Sequence, residues 1–252
     1  MKIGAQLYTA RDFTQTSKDF AETIKKVAAM GYKTVQISGI SQAIPASEVA
    51  EVCKASNLEI AITHNPPDRI KNDYQKLIED HKTLGCRYIG LGSVPGEYSR
   101  SFEGFGNFIK DFLPAAKAIK AAGMQFMYHN HAFEFFRVGG KTGMDYLADN
   151  FPDAGFTLDT YWIQAGGADP ALWIKKLAGR VDVIHLKDFA IVDGEQRMAE
   201  VMEGNLNWDA IFEAATAAGV KYAMVEQDDA YVLDPFTCLQ TSFNNLKKRG
   251  LA

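Results

Sequence analysis

Cysteine is scarce in this chain. Cys53, Cys86 and Cys238 are the only three among 252 residues. Odd in number and widely spaced, they build neither a Cys-x-x-Cys metal site nor a disulfide framework. They are expected as small buried apolar residues in a reducing compartment. Long apolar runs are missing too. Met1-Lys2-Ile3-Gly4-Ala5-Gln6-Leu7-Tyr8 reads as a strand, not a charged leader, and no stretch has the length and apolarity of a membrane span. The expectation is a cytoplasmic protein with no membrane partner. Nor is there a surplus of positive charge: 27 Lys and Arg against 31 Asp and Glu leave a formal net charge of −4. Nucleic acid, which calls for a basic face, is not an expected partner.

Several catalytic signatures are absent as well. No Gly-x-Ser-x-Gly elbow follows a strand, and no helix carries His-Glu-x-x-His. The turn after the first strand is Thr9-Ala10-Arg11-Asp12, where a dinucleotide-binding open sheet would place glycines. Asp228 and Asp229 occupy the last loop, and their charge would repel a phosphate.

What is present is a repeated unit. A helical segment ends at Gly or Asn, and a short apolar run follows. Strands are expected at Lys2–Tyr8, Thr34–Ile37, Leu58–His64, Tyr88–Gly92, Met124–Tyr128, Gly155–Asp159, Arg180–Leu186 and Val220–Glu226. Helices are expected over Ser17–Met30, Pro45–Ala55, Arg69–Leu84, Phe102–Ala122, Gly143–Asn150, Pro170–Leu177, Trp208–Ala218 and Pro235–Lys248. Residues 187–206 form the longest connection, charged and without strong periodicity. Eight strand–helix units with no linker between them predict one α/β domain over 1–252, a (β/α)8 TIM barrel.

In such a barrel the working residues lie at the C-terminal strand ends. Four of the five histidines fall there, and only His81 lies within a helix. The densest stretch is Tyr128-His129-Asn130-His131-Ala132-Phe133-Glu134-Phe135. His129 and His131 share a face by the two-residue period of a strand, with Glu134 in the loop beyond. Two imidazoles and a carboxylate there suit a divalent metal or a substrate; the plainer reading is a polar strand end that caps backbone groups. The other strand ends offer Gln6, Tyr8, Gln36, His64, Asp159, His185 with Lys187 and Asp188, and Glu226. Asp159 has an alternative role as a cap of the next turn, and Lys187 as an ion-pair partner of Asp188 or a neighbour. Glu226 ends an apolar run, where a carboxylate is costly without a cation or proton.

Segments along the whole chain carry a family resemblance: Gly4-Ala5-Gln6-Leu7-Tyr8, Met30-Gly31-Tyr32, Thr83-Leu84-Gly85-Cys86, Tyr128-His129-Asn130-His131, Leu158-Asp159, Tyr161-Trp162, His185-Leu186-Lys187-Asp188 and Val225-Glu226-Gln227-Asp228. The chain resembles the xylose isomerase-like TIM-barrel superfamily, in its sugar phosphate isomerase/epimerase group. That resemblance implies one divalent metal ion (Mn²⁺, Mg²⁺, Co²⁺ or Zn²⁺) held by Asp159, His185, Glu226 and a residue from strand five. Many relatives place Glu where this chain has His129, so Glu134 is the expected replacement, with His129 or His131 as the alternative. The implied chemistry is proton abstraction beside a carbonyl of a sugar, keto-sugar or cyclic polyol. Glu226, Glu134 and Lys187 are the expected catalytic residues, and His64, His129, His131 and Trp162 the substrate-binding ones. The same site would serve a lyase or dehydratase acting on an inosose or keto-glycoside, or a sugar-binding barrel without catalysis. A homo-oligomer is compatible with the sequence.

Overall fold

The alternation of short β-branched or aromatic runs with amphipathic helices closes on itself. In the computed structural model, which covers residues 1–252, eight parallel strands form a closed barrel: Lys2–Gln6, Thr34–Ile37, Glu59–Asn65, Tyr88–Leu91, Gln125–His129, Ala154–Asp159, Val183–Leu186 and Tyr222–Val225. They are numbered one to eight below; strand one pairs with strands two and eight. Strand interiors are buried on both faces, so they read as continuous apolar runs. Ala61, Ile62, Tyr88, Met127, Val183 and Met224 pack together as one cluster. A larger core surrounds it, with Phe20, Phe105, Phe108, Phe126 and Trp208 among its members.

Local chemistry sets the helix ends. Thr16 caps Ser17–Met30 by accepting from the Asp19 backbone, and Gly31 ends that helix at φ 113°, where a side chain would be strained. Thr142 and Asp145 form a reciprocal capping box at Gly143–Asn150.

Four expectations are revised. The first strand ends at Gln6, not Tyr8, because Leu7–Phe13 turns as a 3-10 segment pinned when the Tyr8 N–H donates to the Gln6 side chain. The helix expected over Arg69–Leu84 is two, Pro67–Asn72 and Tyr74–Leu84, broken at Asp73. A short helix, Thr160–Ala165, follows strand six directly. The charged connection after strand seven holds an antiparallel hairpin, Asp188–Val192 with Glu195–Ala199.

Asp188 organises that connection. Its carboxylate is buried and accepts from the backbone N–H of Phe189, Met202, Gly204 and Leu206 and from the Trp208 indole. Five donors on one carboxylate replace the regular pairing that this loop lacks. Asp188 is therefore not the ion-pair partner of Lys187.

Candidate metal and substrate site

Strand register brings the chemical residues together. Asp159 on strand six pairs directly with His185 on strand seven, and His129 and Glu226 close the same mouth from strands five and eight. All four are buried, and one potential ligand atom from each lies within 4.8 Å of every other.

Each ligand atom is aimed from behind. His129 Nδ1 lies 2.8 Å from the Gly92 carbonyl, which can only accept, so that nitrogen donates, and Nε2 faces Asp159 Oδ2 at 3.3 Å. His185 Nε2 donates to Gln36 Oε1 at 2.8 Å. Its Nδ1 then faces Glu226 Oε2 at 2.8 Å and Asp159 Oδ2 at 3.6 Å. Asp159 Oδ1 accepts from the Trp162 N–H at 2.9 Å, capping the next helix, while Oδ2 is left for the cluster. Capping and clustering thus coexist in one side chain. Glu226 Oε1 accepts from Gln6 Nε2 at 2.6 Å, leaving Oε2 inward.

Two carboxylate oxygens and two imidazole nitrogens converge, and the paired carboxylates require positive charge among them. His185 Nδ1 and Glu226 Oε2 have no well-directed hydrogen bond despite their short contacts. Two imidazoles and two carboxylates within this span are a donor set that fits a divalent metal ion. The carbonyl behind His129 and the amide behind His185 are the outer partners that metal-binding imidazoles need.

Protons and Lys187 also balance the charge. Burial works against a charged His185, yet Glu226 and Asp159 outweigh it and raise the imidazole to about 9. Burial likewise opposes ionisation of Glu226 and Asp159, but Lys187 foremost holds both carboxyls well below the usual range. The fully buried Lys187 Nζ lies 2.8 Å from Glu226 Oε2 and 3.2 Å from Asp159 Oδ2, anchored by both Asp228 oxygens at 2.9 and 3.0 Å. Asp228 is the partner that sequence reading missed; acidic loop residues gave no signal of which basic group they face.

Glu134 is not brought into the cluster. Its Oε1 accepts from the Tyr128 hydroxyl at 2.5 Å and its Oε2 from the His131 N–H at 2.8 Å. Both oxygens are engaged behind the loop, and burial pushes the carboxyl up to about 8. Glu134, expected as a ligand and catalytic group, lies outside the four-residue cluster, in which His129, the alternative, sits instead, and Glu134 shapes the turn that presents His131.

A cavity of about 590 Å³ opens over the cluster, lined by Gln6, His64, His129, His131, Trp162, Lys187, Glu226 and Asp228 among others. His131 Nδ1, His64 Nε2 and Trp162 Nε1 are enclosed without partners. Burial and the neighbouring His129 lower His131 to about 3, and burial with His129 and His185 depresses His64, so both rings are neutral near pH 7. Gly90 and Gly92 make room for His64; a Cβ on Gly90 would lie 2.8 Å from its ring. Such a wall presents unpartnered ring nitrogens to the cavity.

The comparisons agree with this architecture. A family model described as xylose isomerase-like TIM barrel matches residues 24–248. No curated protein matches the chain in sequence. Among solved structures it is similar to a sugar phosphate isomerase/epimerase from Parabacteroides distasonis ATCC 8503, with TM-score 0.82 and 23% identity over 98% of this chain and 93% of that one. A D-allulose 3-epimerase from Methylomonas sp. gives TM-score 0.74 and 14% identity over 99% and 98% of the two chains. A probable 3-DHS dehydratase involved in petrobactin synthesis, from Bacillus anthracis, gives TM-score 0.74 and 15% identity over 99% and 100%. At these identities the likeness carries the fold.

Proposed function

The chain belongs to the xylose isomerase-like TIM barrel family, and we propose that it is a divalent-metal-dependent isomerase or epimerase of a sugar, keto-sugar or cyclic polyol. One observation carries the reading: His129 Nε2, Asp159 Oδ2, His185 Nδ1 and Glu226 Oε2 converge, each held inward by a hydrogen bond made elsewhere in its own side chain. A bound divalent ion would act as a Lewis acid beside a substrate carbonyl.

The chain's own residues supply the rest. Glu226, fixed by Gln6, is the base that takes the proton from the carbon next to the carbonyl. Lys187, held by Asp228, keeps its ammonium at the cluster, where it stabilises the oxygen charge of an enediolate. The bare nitrogens of His64 and His131 accept from substrate hydroxyls, and Trp162 walls the cavity. Return of the proton from Glu226 to the adjacent carbon gives an isomer; an epimer takes a proton on the opposite face from a second group, a cavity histidine or water, while Glu226 keeps the one it removed.

The test is turnover in D₂O with keto-sugars and inososes, after stoichiometric metal analysis. Deuterium at the carbon beside the carbonyl, lost in Glu226→Gln, is the expected result. Product free of solvent deuterium together with an active Glu226→Gln overturns the reading. Product identification by NMR separates isomerisation from elimination.

A further inference from the structure

Lys187 has more acceptors around it than it has hydrogens. An ammonium carries three N–H donors. Four carboxylate oxygens lie within 3.2 Å of Nζ: both of Asp228, Glu226 Oε2 and Asp159 Oδ2. The contacts are of two kinds. Those to Asp228, at 2.9 and 3.0 Å, are directed hydrogen bonds. Glu226 Oε2, at 2.8 Å, receives no well-directed hydrogen bond, so the attraction there is mainly that of charge for charge. Lys187 is anchored on Asp228 and leans on the cluster.

The backbone beneath it is fixed. Thr160 Oγ1 donates to the Lys187 carbonyl at 2.8 Å and accepts from the Lys187 N–H at 3.1 Å. Movement is therefore left to the side chain, and its surroundings offer one direction. Lys187, Trp162 and Asp228 all line the main cavity, and the Trp162 ring centre lies 5.5 Å from Nζ. An ammonium drawn off the cluster toward that side keeps Asp228 and meets an aromatic face, which also attracts a cation. The two cluster oxygens that it touches are the same two assigned above to a divalent ion. Two cations drawn to one pair of oxygens repel each other, and burial leaves that repulsion poorly screened.

We propose, resting on the reading of the cluster as a metal site, that Lys187 competes with the ion and gives way to it. On loading, the ammonium leaves Glu226 Oε2 and Asp159 Oδ2, stays on Asp228, and turns its third N–H into the cavity. Donor counting gives the consequence. With two N–H groups on Asp228 and the third on the cluster, Lys187 has none for a substrate oxygen. The exchange frees one. Lys187 thereby becomes a substrate-binding group only in the loaded protein, and Asp228 is the residue that holds it there.

The experiment is calorimetric titration of Mn²⁺ into the full chain, Lys187→Met, Asp228→Asn and the double variant, each checked for folding by circular dichroism. Lys187→Met binds Mn²⁺ about tenfold tighter or more, because no ammonium has to be displaced. In the loaded parent Asp228 is the ammonium's one remaining carboxylate, so Asp228→Asn weakens Mn²⁺ binding by about tenfold or more. In the Lys187→Met background the same change weakens it at least about threefold less. Lys187→Gln serves if Lys187→Met does not fold, and a crystal structure of the unaltered chain with Zn²⁺ needs no variant. There Nζ keeps Asp228 and lies beyond about 3.5 Å, outside hydrogen-bond reach, from both Glu226 Oε2 and Asp159 Oδ2. Three results overturn the proposal: Mn²⁺ binding no tighter without the ammonium, an Asp228→Asn loss equal in both backgrounds, or an ammonium within that distance of either oxygen in the Zn²⁺-loaded protein. Failure of both the parent and the folded Lys187 variant to bind Mn²⁺ or Zn²⁺ overturns the metal reading itself.

Discussion

His185 on strand seven reaches across the barrel mouth to Gln36 on strand two, with Nε2 2.8 Å from the amide oxygen. That hydrogen bond decides which imidazole nitrogen faces Asp159 and Glu226. Neither residue does this alone, and their separation of 149 positions hides the relation from any local motif.

The fourth ligand gives the first prediction. His129→Ala lowers divalent-ion affinity by at least about tenfold, and Gln36→Ala lowers it by about 10 to 100-fold through the misdirected His185 ring. Glu134→Gln leaves affinity within about threefold, since its carboxylate lies outside the cluster. Titrations with Mn²⁺ and Zn²⁺ measure all three. A Glu134→Gln loss larger than that of His129→Ala would restore Glu134 as the ligand.

Lys187 gives the second. Lys187→Met leaves Asp159, Glu226 and Asp228 without their buried cation. Breaking such a group by removing one partner costs about 3–5 kcal/mol, which at this chain length lowers the metal-free Tm by roughly 10 °C. Added divalent ion raises the variant's Tm more than the parent's. Unchanged melting of the metal-free variant sinks the assignment.

The third concerns pH. Glu134 is raised from 4.5 to about 8 by burial, so the folded state holds its proton more tightly than the unfolded chain does. Its contribution to stability is present in full below pH 4.5 and is lost as pH rises toward 8. Compared with Glu134→Gln, which has no such proton, the parent loses Tm progressively over that window. A Tm difference that stays flat from pH 4.5 to 8 contradicts the shift.

The loop after strand seven gives the fourth. Asp188→Asn replaces a five-fold acceptor with a group that carries two donors of its own, set against N–H groups. The expected cost is about 2–4 kcal/mol, with residues 200–207 becoming the first site of limited proteolysis. Parent-like resistance in that segment would show that the loop is held by other contacts.

By itself the sequence determined the barrel and most of its mouth. Alternating apolar runs and amphipathic helices leave few closed arrangements, and parallel strands put Asp159, His185 and Glu226 at one end because each lies within one residue of the C-terminal end of its strand. Local spacing carried no information on which oxygen or nitrogen of each side chain is free. Glu134 matched the expected ligand type, yet Tyr128 and the His131 N–H, closer along the chain than any metal site, claimed both its oxygens. His129 joins the cluster because the Gly92 carbonyl, just past the end of the neighbouring strand, holds its ring inward. The partnership of Lys187 with Asp228 rather than adjacent Asp188 arises from the closure of distant strands and helices. Only the tertiary structure decided these, since hydrogen-bond direction depends on what stands behind a side chain in space.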